Sequence, residues 1–246
     1  MELGTTKGKN VSTLSLIVNK AIGSIVLYTD LAIDQLEKET INIQVERANG
    51  SNIDVTNGSV PLKEFILCAT YGDDAITSNA RIGALTVAVI ELCEHGGIHL
   101  FETDQIKINL NNLNSKSFYL VDGIEEPITS QDLYRYERKS MNSEHVNTDF
   151  DVRSFDTCVM TDDDSIEEVN YTFDNGQTVK YTPRELRALA VDADPVGYVK
   201  ADGTVASSFD NLLQLPLSGV VNINVRKSQG TLVNLLLRHD VELSNF

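Results

Sequence analysis

Short stretches of alternating apolar and polar residues run along the whole chain, and they predict β-strands. The stretches are rich in Val, Ile, Thr, Tyr and Phe and end at clusters of Gly, Asn, Asp and Ser, which is typical of strands joined by turns. The first half holds eight predicted strands, at residues 12–18, 23–29, 40–46, 52–56, 82–93, 97–101, 105–110 and 116–121. Eight is the number of strands that a jelly roll requires.

The second half shows the same pattern, although its segments vary more in length. The predicted strands lie at residues 150–160, 168–173, 177–182, 197–200, 212–217, 220–226 and 231–243. In the last segment apolar residues and His239 occupy every second position, which places them on one face of a strand. A long final strand predicts that this end of the sequence lies within a sheet.

One compound pattern occurs twice. A predicted hairpin at 40–55 precedes a short helical pattern at 61–68, and a hairpin at 168–181 precedes a stronger one at 183–190. In the second copy Thr182 and Glu185 form a capping box, which marks a helix start. The repeat predicts a mainly β protein made of two tandem jelly-roll barrels, each with a short helix after an early hairpin.

A polar and charged stretch at 125–149 separates the two patterns. Tyr134, Tyr136 and Met141 are its larger apolar residues, and 131–139 are predicted to form at most a helical turn or two. We expect a connector here. The predicted organisation is a first jelly roll at 1–126, a connector at 127–147 and a second jelly roll at 148–246.

The composition is that of an ordinary globular protein, but the charge is strongly negative. The chain has 246 residues, of which 41% are hydrophobic and 23% charged, and its net charge is −16. This charge disfavours sequence-specific nucleic-acid binding, which needs clustered Lys and Arg. The first 13 residues lack the apolar segment of a signal peptide, so we expect synthesis in a cytoplasm.

The three cysteines are expected to be small buried hydrophobic residues. Cys68, Cys93 and Cys158 lie among apolar residues, are odd in number and lack C-x-x-C spacing. A disulfide framework and a zinc site are therefore disfavoured.

Two groups of residues have the chemistry of a metal site. His95 and His99 lie four residues apart and next to Glu94, but the two glycines between them favour a turn. Metal-binding cupins use a different histidine spacing, so a plain hairpin is the first interpretation.

The second group is an acidic run at 162–168. Calcium is an alternative there through Asp162, Asp164 and Glu167, because clustered carboxylates suit that ion. The run lacks the glycine of an EF-hand loop, and a solvated acidic loop is its usual meaning. We predict no catalytic, cofactor-binding or metal-binding residues, with calcium kept as the alternative.

Known catalytic motifs are absent from the sequence: it has no G-x-S-x-G elbow, phosphate-binding loop, dinucleotide fingerprint or H-E-x-x-H. The chain also has no Trp, which weakens a sugar-binding role. Lys7, Lys9 and Lys20 make the first 20 residues positive. They predict a flexible start or an arm that contacts lipid headgroups or nucleic acid inside a shell.

The order of elements resembles the compact double-jelly-roll major capsid proteins of membrane-containing icosahedral phages, of the corticovirus type and its flavobacterial relatives. The resemblance rests on a strand, a turn containing Gly, a second strand and a short helix in each half. These elements lie at 41–45, 49–50, 53–55 and 62–67, and again at 169–173, 175–176, 179–181 and 184–189.

The resemblance implies a non-enzymatic virion protein that assembles as homotrimers into an icosahedral bacteriophage capsid. The implied partners are further copies, other capsid proteins such as a penton, and an internal viral membrane. The alternatives are a phage spike, tail or adhesion-type β-sandwich binding protein and, less favoured, a jelly-roll enzyme that acts on carbohydrate.

Overall fold

The computed structural model describes residues 1–71, 76–193, 197–206, 211–228 and 230–243. Within these ranges the helices are α1 (Leu62–Ala69) and α2 (Pro183–Ala193), with one 3₁₀ turn at Ile33–Gln35. The strands of the first half are β1 (Glu2–Thr5), β2 (Leu14–Val18), β3 (Ile22–Thr29), β4 (Thr40–Glu46), β5 (Ile53–Asp54), β6 (Val60–Pro61), β7 (Ile76–Asn79), β8 (Ala84–Glu91), β9 (Gly97–Ile98), β10 (Gln105–Asn111), β11 (Tyr119–Glu125) and β12 (Thr129–Ser130). The strands of the second half are β13 (Asp132–Met141), β14 (Asn147–Asp151), β15 (Thr157–Thr161), β16 (Ile166–Phe173), β17 (Thr178–Tyr181), β18 (Tyr198–Val199), β19 (Val205–Ala206), β20 (Leu212–Pro216), β21 (Val220–Lys227) and β22 (Val233–Glu242).

The two halves have the same sheet topology. The first half pairs its strands in the orders β1–β11–β3–β8–β7 and β2–β10–β4–β5. The second half pairs them in the orders β13–β22–β15–β20 and β14–β21–β16–β17. When strands are matched by their place in these orders, so that β1 corresponds to β13 and β11 to β22, both sets follow the same order along the chain. The first barrel adds β7 at one edge. The predicted duplication into two tandem jelly rolls is therefore confirmed.

Alternation along the strands sets which residues enter each core. In β4 and β10 the register places Ile43 opposite Ile108, and both side chains are fully buried. Side chains from both sheets surround a void of about 10 Å³ inside the first barrel. The lining residues are Ile25, Leu27, Ile41, Ile90, Ile108, Leu110 and Val121. A separate cluster of buried apolar residues fills the second barrel.

Both predicted helices are present, but they begin in different ways. The backbone N–H of Thr182 donates to Glu185 Oε2 at 2.7 Å, and the N–H of Glu185 donates to Thr182 Oγ1 at 3.4 Å. This is the predicted capping box of α2. Helix α1 starts one residue later than predicted, because Pro61 belongs to β6, and no side chain caps its N-terminus.

The stretch predicted as a connector is largely strand. Strand β13 pairs with β22 over ten residues, from Asp132 opposite Glu242 to Met141 opposite Val233. The helical prediction for 131–139 is wrong, and 127–147 contains the first strand of the second barrel. Charged residues at half of the positions of β13 hide its period, since only Leu133, Tyr136 and Met141 are buried.

Two further predictions are corrected. The start of the sequence is not flexible over residues 2–5, because β1 pairs with β11 and the Met1 ammonium donates to the Gly123 carbonyl at 2.8 Å. The single strand predicted at 150–160 is two strands, β14 and β15. Ser154 between them has a φ of 74°, a left-handed conformation that breaks an extended chain.

The cysteine prediction is confirmed, since Cys68, Cys93 and Cys158 are free and buried. In the part of the chain that the structure describes, neither helix has the length and apolar character needed to cross a bilayer.

Candidate functional site: the contact between the two barrels

Helix α1 of the first barrel lies against the second barrel. Six of its eight residues are buried: Leu62, Phe65, Ile66, Leu67, Cys68 and Ala69. They belong to one continuous apolar cluster with Tyr136, Val159 and Leu236 of the second barrel. Because the predicted role is structural, this large internal contact is the candidate functional site.

The centre of the contact is apolar. The Phe65 ring packs edge-on against the Tyr136 ring, with 4.7 Å between centroids. Beside it the Cys68 thiol donates to the Leu236 carbonyl at 3.5 Å. Burial raises the pKa of the Cys68 thiol well above its usual value, so this group remains a neutral packing residue.

Side chains of the second barrel bind the C-terminal carbonyls of α1. Gln214 Nε2 donates to the Leu67 carbonyl at 2.7 Å, and Arg238 Nη1 donates to the Ala69 carbonyl at 3.3 Å. The last four carbonyls of a helix have no partner within the helix and need one from elsewhere when buried. The second barrel therefore completes the hydrogen bonding of a helix that belongs to the first.

Arg238 is held in place on three sides. Besides its bond to α1, its Nη2 donates to Asp156 Oδ2 at 3.0 Å, and its guanidinium lies 4.7 Å from the centre of the Tyr134 ring. The side chain is 10% exposed. Burial disfavours its charge, but the Asp156 carboxylate raises the pKa of Arg238 above its usual value, so the guanidinium stays charged.

A second charged pair lies at the edge of the contact. Glu64 of α1 approaches Arg138 of β13, with 3.7 Å between Oε2 and Nε, and its side chain is 14% exposed. Burial raises the pKa of Glu64, although Arg138 opposes this shift. The helix thus presents an acidic group to Arg138 of the sheet.

Strand β13 adds backbone hydrogen bonds between the barrels. The Tyr136 N–H donates to the Val55 carbonyl at 2.7 Å, and the Tyr134 N–H donates to the Leu92 carbonyl at 2.8 Å. Full burial of a large apolar side chain, such as Phe65 or Leu236, stabilises the contact by about 1.5–3 kcal/mol. The two barrels are consequently joined by a continuous core and not by a flexible linker.

The residues predicted as the alternative calcium site bind arginines. Asp162 accepts two hydrogen bonds from Arg187, at 2.7 and 3.0 Å, and Asp164 lies 3.5 Å from the same guanidinium. Glu167 instead pairs with Arg226 at 3.1 Å. The three carboxylates therefore form ion pairs with two different arginines, and calcium binding stays a prediction.

The histidines do not converge on a shared site. His95 is 90% exposed and lies 3.9 Å from Glu94, whereas the His99 ring packs edge-on against Phe101 at 4.8 Å. Across the described residues, no three His, Cys, Asp or Glu side chains form a group that could hold a metal ion.

Sequence reasoning missed the polar residues of the barrel contact. Arg238 directly follows the apolar run Leu235–Leu237, and Gln214 interrupts an apolar strand. A polar residue at a position that a strand buries needs a specific partner. These interruptions were the available sign of a contact on the outer face of the sheet.

No protein-family model matches the sequence, and no curated protein matches it. The fold is similar to the crystal structure of the major capsid protein P2 from bacteriophage PM2, with a TM-score of 0.53 and 10% sequence identity. The likeness covers 97% of this chain and 95% of that chain. At this identity it establishes the fold alone.

Other capsid proteins are more distant. The Faustovirus major capsid protein gives a TM-score of 0.42 at 7% identity, over 93% of this chain and 76% of that chain. The mavirus major capsid protein gives 0.38 at 7% identity, over 98% of this chain and 86% of that chain. Scores this low carry no argument of their own. The chain therefore has a double-jelly-roll fold similar to that of the PM2 major capsid protein.

Proposed function

We propose that the protein is a major capsid subunit that assembles as homotrimers into an icosahedral viral shell. The observation that carries this proposal is the whole-chain likeness to the PM2 capsid protein, which includes both barrels and leaves little of either chain unmatched. The proposed location is the virion, after synthesis in the cytoplasm of a host.

The physical properties of the fold support this role. In each barrel the inner strands of both main sheets have hydrogen-bonded neighbours on both sides, which confines edge-to-edge aggregation at the high local concentration of a shell to the edge strands. The buried helix α1 and the bonds of β13 fix one barrel on the other. A subunit of this kind presents its surfaces in a fixed geometry, as regular packing requires.

The proposal assigns no catalytic role to the protein. Its partners are further copies of the chain, other capsid proteins such as a penton, and an internal viral membrane. The acidic groups with the most obvious chemistry, Asp162 and Glu167, are engaged in ion pairs with Arg187 and Arg226.

The test is to express the chain, determine its mass in solution, and image purified virus particles by electron cryo-microscopy. We expect trimers in solution and a shell whose density fits the two barrels in regular arrays. Particles without the chain in their shell would contradict the proposal. An isolated oligomer that binds host cells or glycans would instead support the spike or adhesion alternative.

A further inference from the structure

Two short turns meet at one end of the first barrel and form the walls of a polar pocket. The first turn spans residues 6–9 and the second spans residues 114–117. The pocket between them has a volume of about 430 Å³, and small-molecule sites usually measure about 300–1,000 Å³. Its lining includes Lys9, Asn10, Asp30, Ser115, Lys116 and Ser117. Apart from the aspartate, each of these side chains can donate hydrogen bonds, which suits a ligand rich in acceptor oxygens.

Both turns are held by Tyr119, the first residue of β11. The Thr6 N–H donates to the Tyr119 carbonyl at 2.9 Å, and the Tyr119 N–H donates to Thr6 Oγ1 at 2.9 Å. On the other side of the pocket the Asn114 N–H donates to the Tyr119 hydroxyl at 3.2 Å. Tyr119 is fully buried. Because one buried residue holds both turns, the backbone positions of Lys9 and Lys116 are fixed relative to each other.

The pocket is positive in a strongly negative protein. Lys7 adds a third ammonium group, 5.3 Å from the centre of the Phe118 ring that also lines the pocket. Lys7, Lys9 and Lys116 are exposed, and among the described residues none of them forms an ion pair with a carboxylate. The Asp30 carboxylate of the lining accepts a hydrogen bond from the Phe118 N–H at 3.0 Å. Three lysines against one aspartate give a formal local charge of +2, whereas the whole chain has −16.

The fold separates the lysines that make the start of the sequence positive. Lys20 forms an ion pair with Glu125 at 2.7 Å. Glu125 ends β11 and Tyr119 begins it, so the two ends lie roughly 20 Å apart at the usual rise of a strand. Lys116 comes from a distant part of the sequence and joins Lys9 at the pocket instead. The tertiary structure therefore creates a basic site that differs from the basic stretch of the sequence.

A neighbouring pocket has the opposite character. It shares Ser115 with the first, but its lining includes Glu37 and Glu39 as well as Lys38. The Glu39 carboxylate accepts a hydrogen bond from the Tyr119 hydroxyl at 2.8 Å. An anion in this second pocket would be repelled by two carboxylates. The pocket of Lys9 and Lys116 is therefore the better anion site at this end of the barrel.

We propose that the pocket between the two turns binds a phosphate group, with Lys9 and Lys116 as direct ligands and Lys7 as a further positive charge. Ammonium groups bind phosphate through short, charge-assisted hydrogen bonds. Ser115 and Ser117 supply hydroxyl donors for the remaining phosphate oxygens. The ligand is inorganic phosphate or the phosphate of a lipid headgroup, because both present the same oxygens. This site goes beyond the proposed capsid function and does not require it.

The test is titration of the full chain with sodium phosphate, measured by calorimetry at constant ionic strength. Constant ionic strength separates a binding site from general screening. The unaltered chain should bind phosphate saturably. The double variant Lys9→Gln/Lys116→Gln should raise the Kd at least about tenfold, because two charge-assisted hydrogen bonds are lost. Asp30→Asn should lower the Kd about threefold, since it removes the nearby negative charge and keeps an oxygen that can accept from Phe118.

The matched control is Lys20→Gln, which makes the same charge change outside the pocket and should alter the Kd less than about twofold. Circular dichroism verifies that every variant is folded. Flotation with vesicles of phosphatidylcholine, with and without phosphatidic acid, identifies the source of the phosphate. Binding that requires both phosphatidic acid and the two pocket lysines assigns a lipid headgroup. Binding of inorganic phosphate without vesicle binding assigns the free ion.

Three results would overturn the site. The first is a chain that binds neither inorganic phosphate nor phosphatidic acid vesicles. The second is a Lys9→Gln/Lys116→Gln variant that binds as tightly as the unaltered chain, and the third is an equal loss of binding in Lys20→Gln. Each of these results leaves the capsid role standing, since that role fails only if the chain is missing from the shell of the particles.

Discussion

Helices α1 and α2 occupy the same place in two copies of one fold, yet they are built in opposite ways. Six of the eight residues of α1 are buried, against two of the eleven residues of α2. Helix α2 has its own capping box, whereas α1 has no side-chain cap at its N-terminus and receives bonds from Gln214 and Arg238 near its C-terminus.

This difference shows that equivalent helices of a duplicated fold can have different structural roles. Helix α2 is stabilised by its capping box and by one buried face, and its outer side is exposed. Helix α1 depends on both barrels, because its apolar side chains lie in a core that the two barrels share and two of its last carbonyls accept hydrogen bonds from the second barrel. Helix α1 joins the two barrels, whereas α2 packs on its own barrel and keeps an exposed side.

The largest expected effect comes from emptying the centre of the α1 contact. Phe65→Ala should lower the free energy of unfolding by about 3–5 kcal/mol, because it removes a fully buried aromatic ring. Val191→Ala on the outer side of α2 should change it by no more than about 0.5 kcal/mol. Urea denaturation of the dilute monomer measures both. Equal losses would contradict the contrast between the helices.

The polar link from the second barrel to α1 should contribute less. Arg238→Leu should cost about 1–3 kcal/mol, since it leaves the buried Ala69 carbonyl without that partner while keeping apolar volume. The control is Lys20→Leu, which removes an exposed ion pair with Glu125 and should cost at most about 1 kcal/mol. Similar losses in urea denaturation for both variants would show that the link does not stabilise α1.

The acidic group of α1 makes the contact sensitive to pH. Burial raises the pKa of Glu64 in the folded chain above its usual value of 4.5. The unfolded chain therefore loses this proton first, and the contribution of Glu64 to stability declines as the pH rises through its folded pKa.

Glu64→Gln keeps the neutral form at every pH and should be more stable than the unaltered chain near neutrality. This advantage should disappear below pH 4.5, where the carboxyl is protonated in both states. Urea denaturation across this pH range measures the difference, with Glu185→Gln on α2 as the comparison. The pKa of Glu185 is lowered by its bonds to Thr182, so that variant should show the opposite trend.

The smallest effect is expected at the Tyr136 hydroxyl, which is buried at the contact and has no hydrogen-bond partner among the residues that the structure describes. Tyr136→Phe should leave stability unchanged or raise it by up to about 1 kcal/mol, because an unpaired polar group is removed. Tyr119→Phe is the control, since its hydroxyl donates to Glu39 at 2.8 Å and its loss should destabilise the chain. Thermal unfolding distinguishes the two. A clear loss in Tyr136→Phe would mean that the hydroxyl has a partner at the contact.

Much of the fold could be predicted from local patterns. The strand at 40–46 has the predicted bounds, and the strand at 105–110 is longer by one residue. Both alternate strictly because one face is buried and the other is not. The capping box of α2 was equally readable, since Thr182 and Glu185 interact with their own backbone neighbourhood.

Elements shaped by the barrel contact were harder to predict. Strand β13 carries charged residues on both sides of its few buried ones, so its period resembles neither a strand nor a helix. Arg138 and Arg238 look like ordinary solvated charges until α1 is placed against them. Their roles depend on a helix that lies far away in the sequence.

The sequence by itself determined the strands, the repeated hairpin-and-helix unit and the start of α2, because each depends on periodicity or on contacts between close neighbours. Only the tertiary structure decided which helix is covered and which polar side chains complete its hydrogen bonding. Burial depends on what the fold brings against a surface. The same local pattern therefore produced a helix buried between the barrels in the first half, α1, and a helix with an exposed side in the second half, α2.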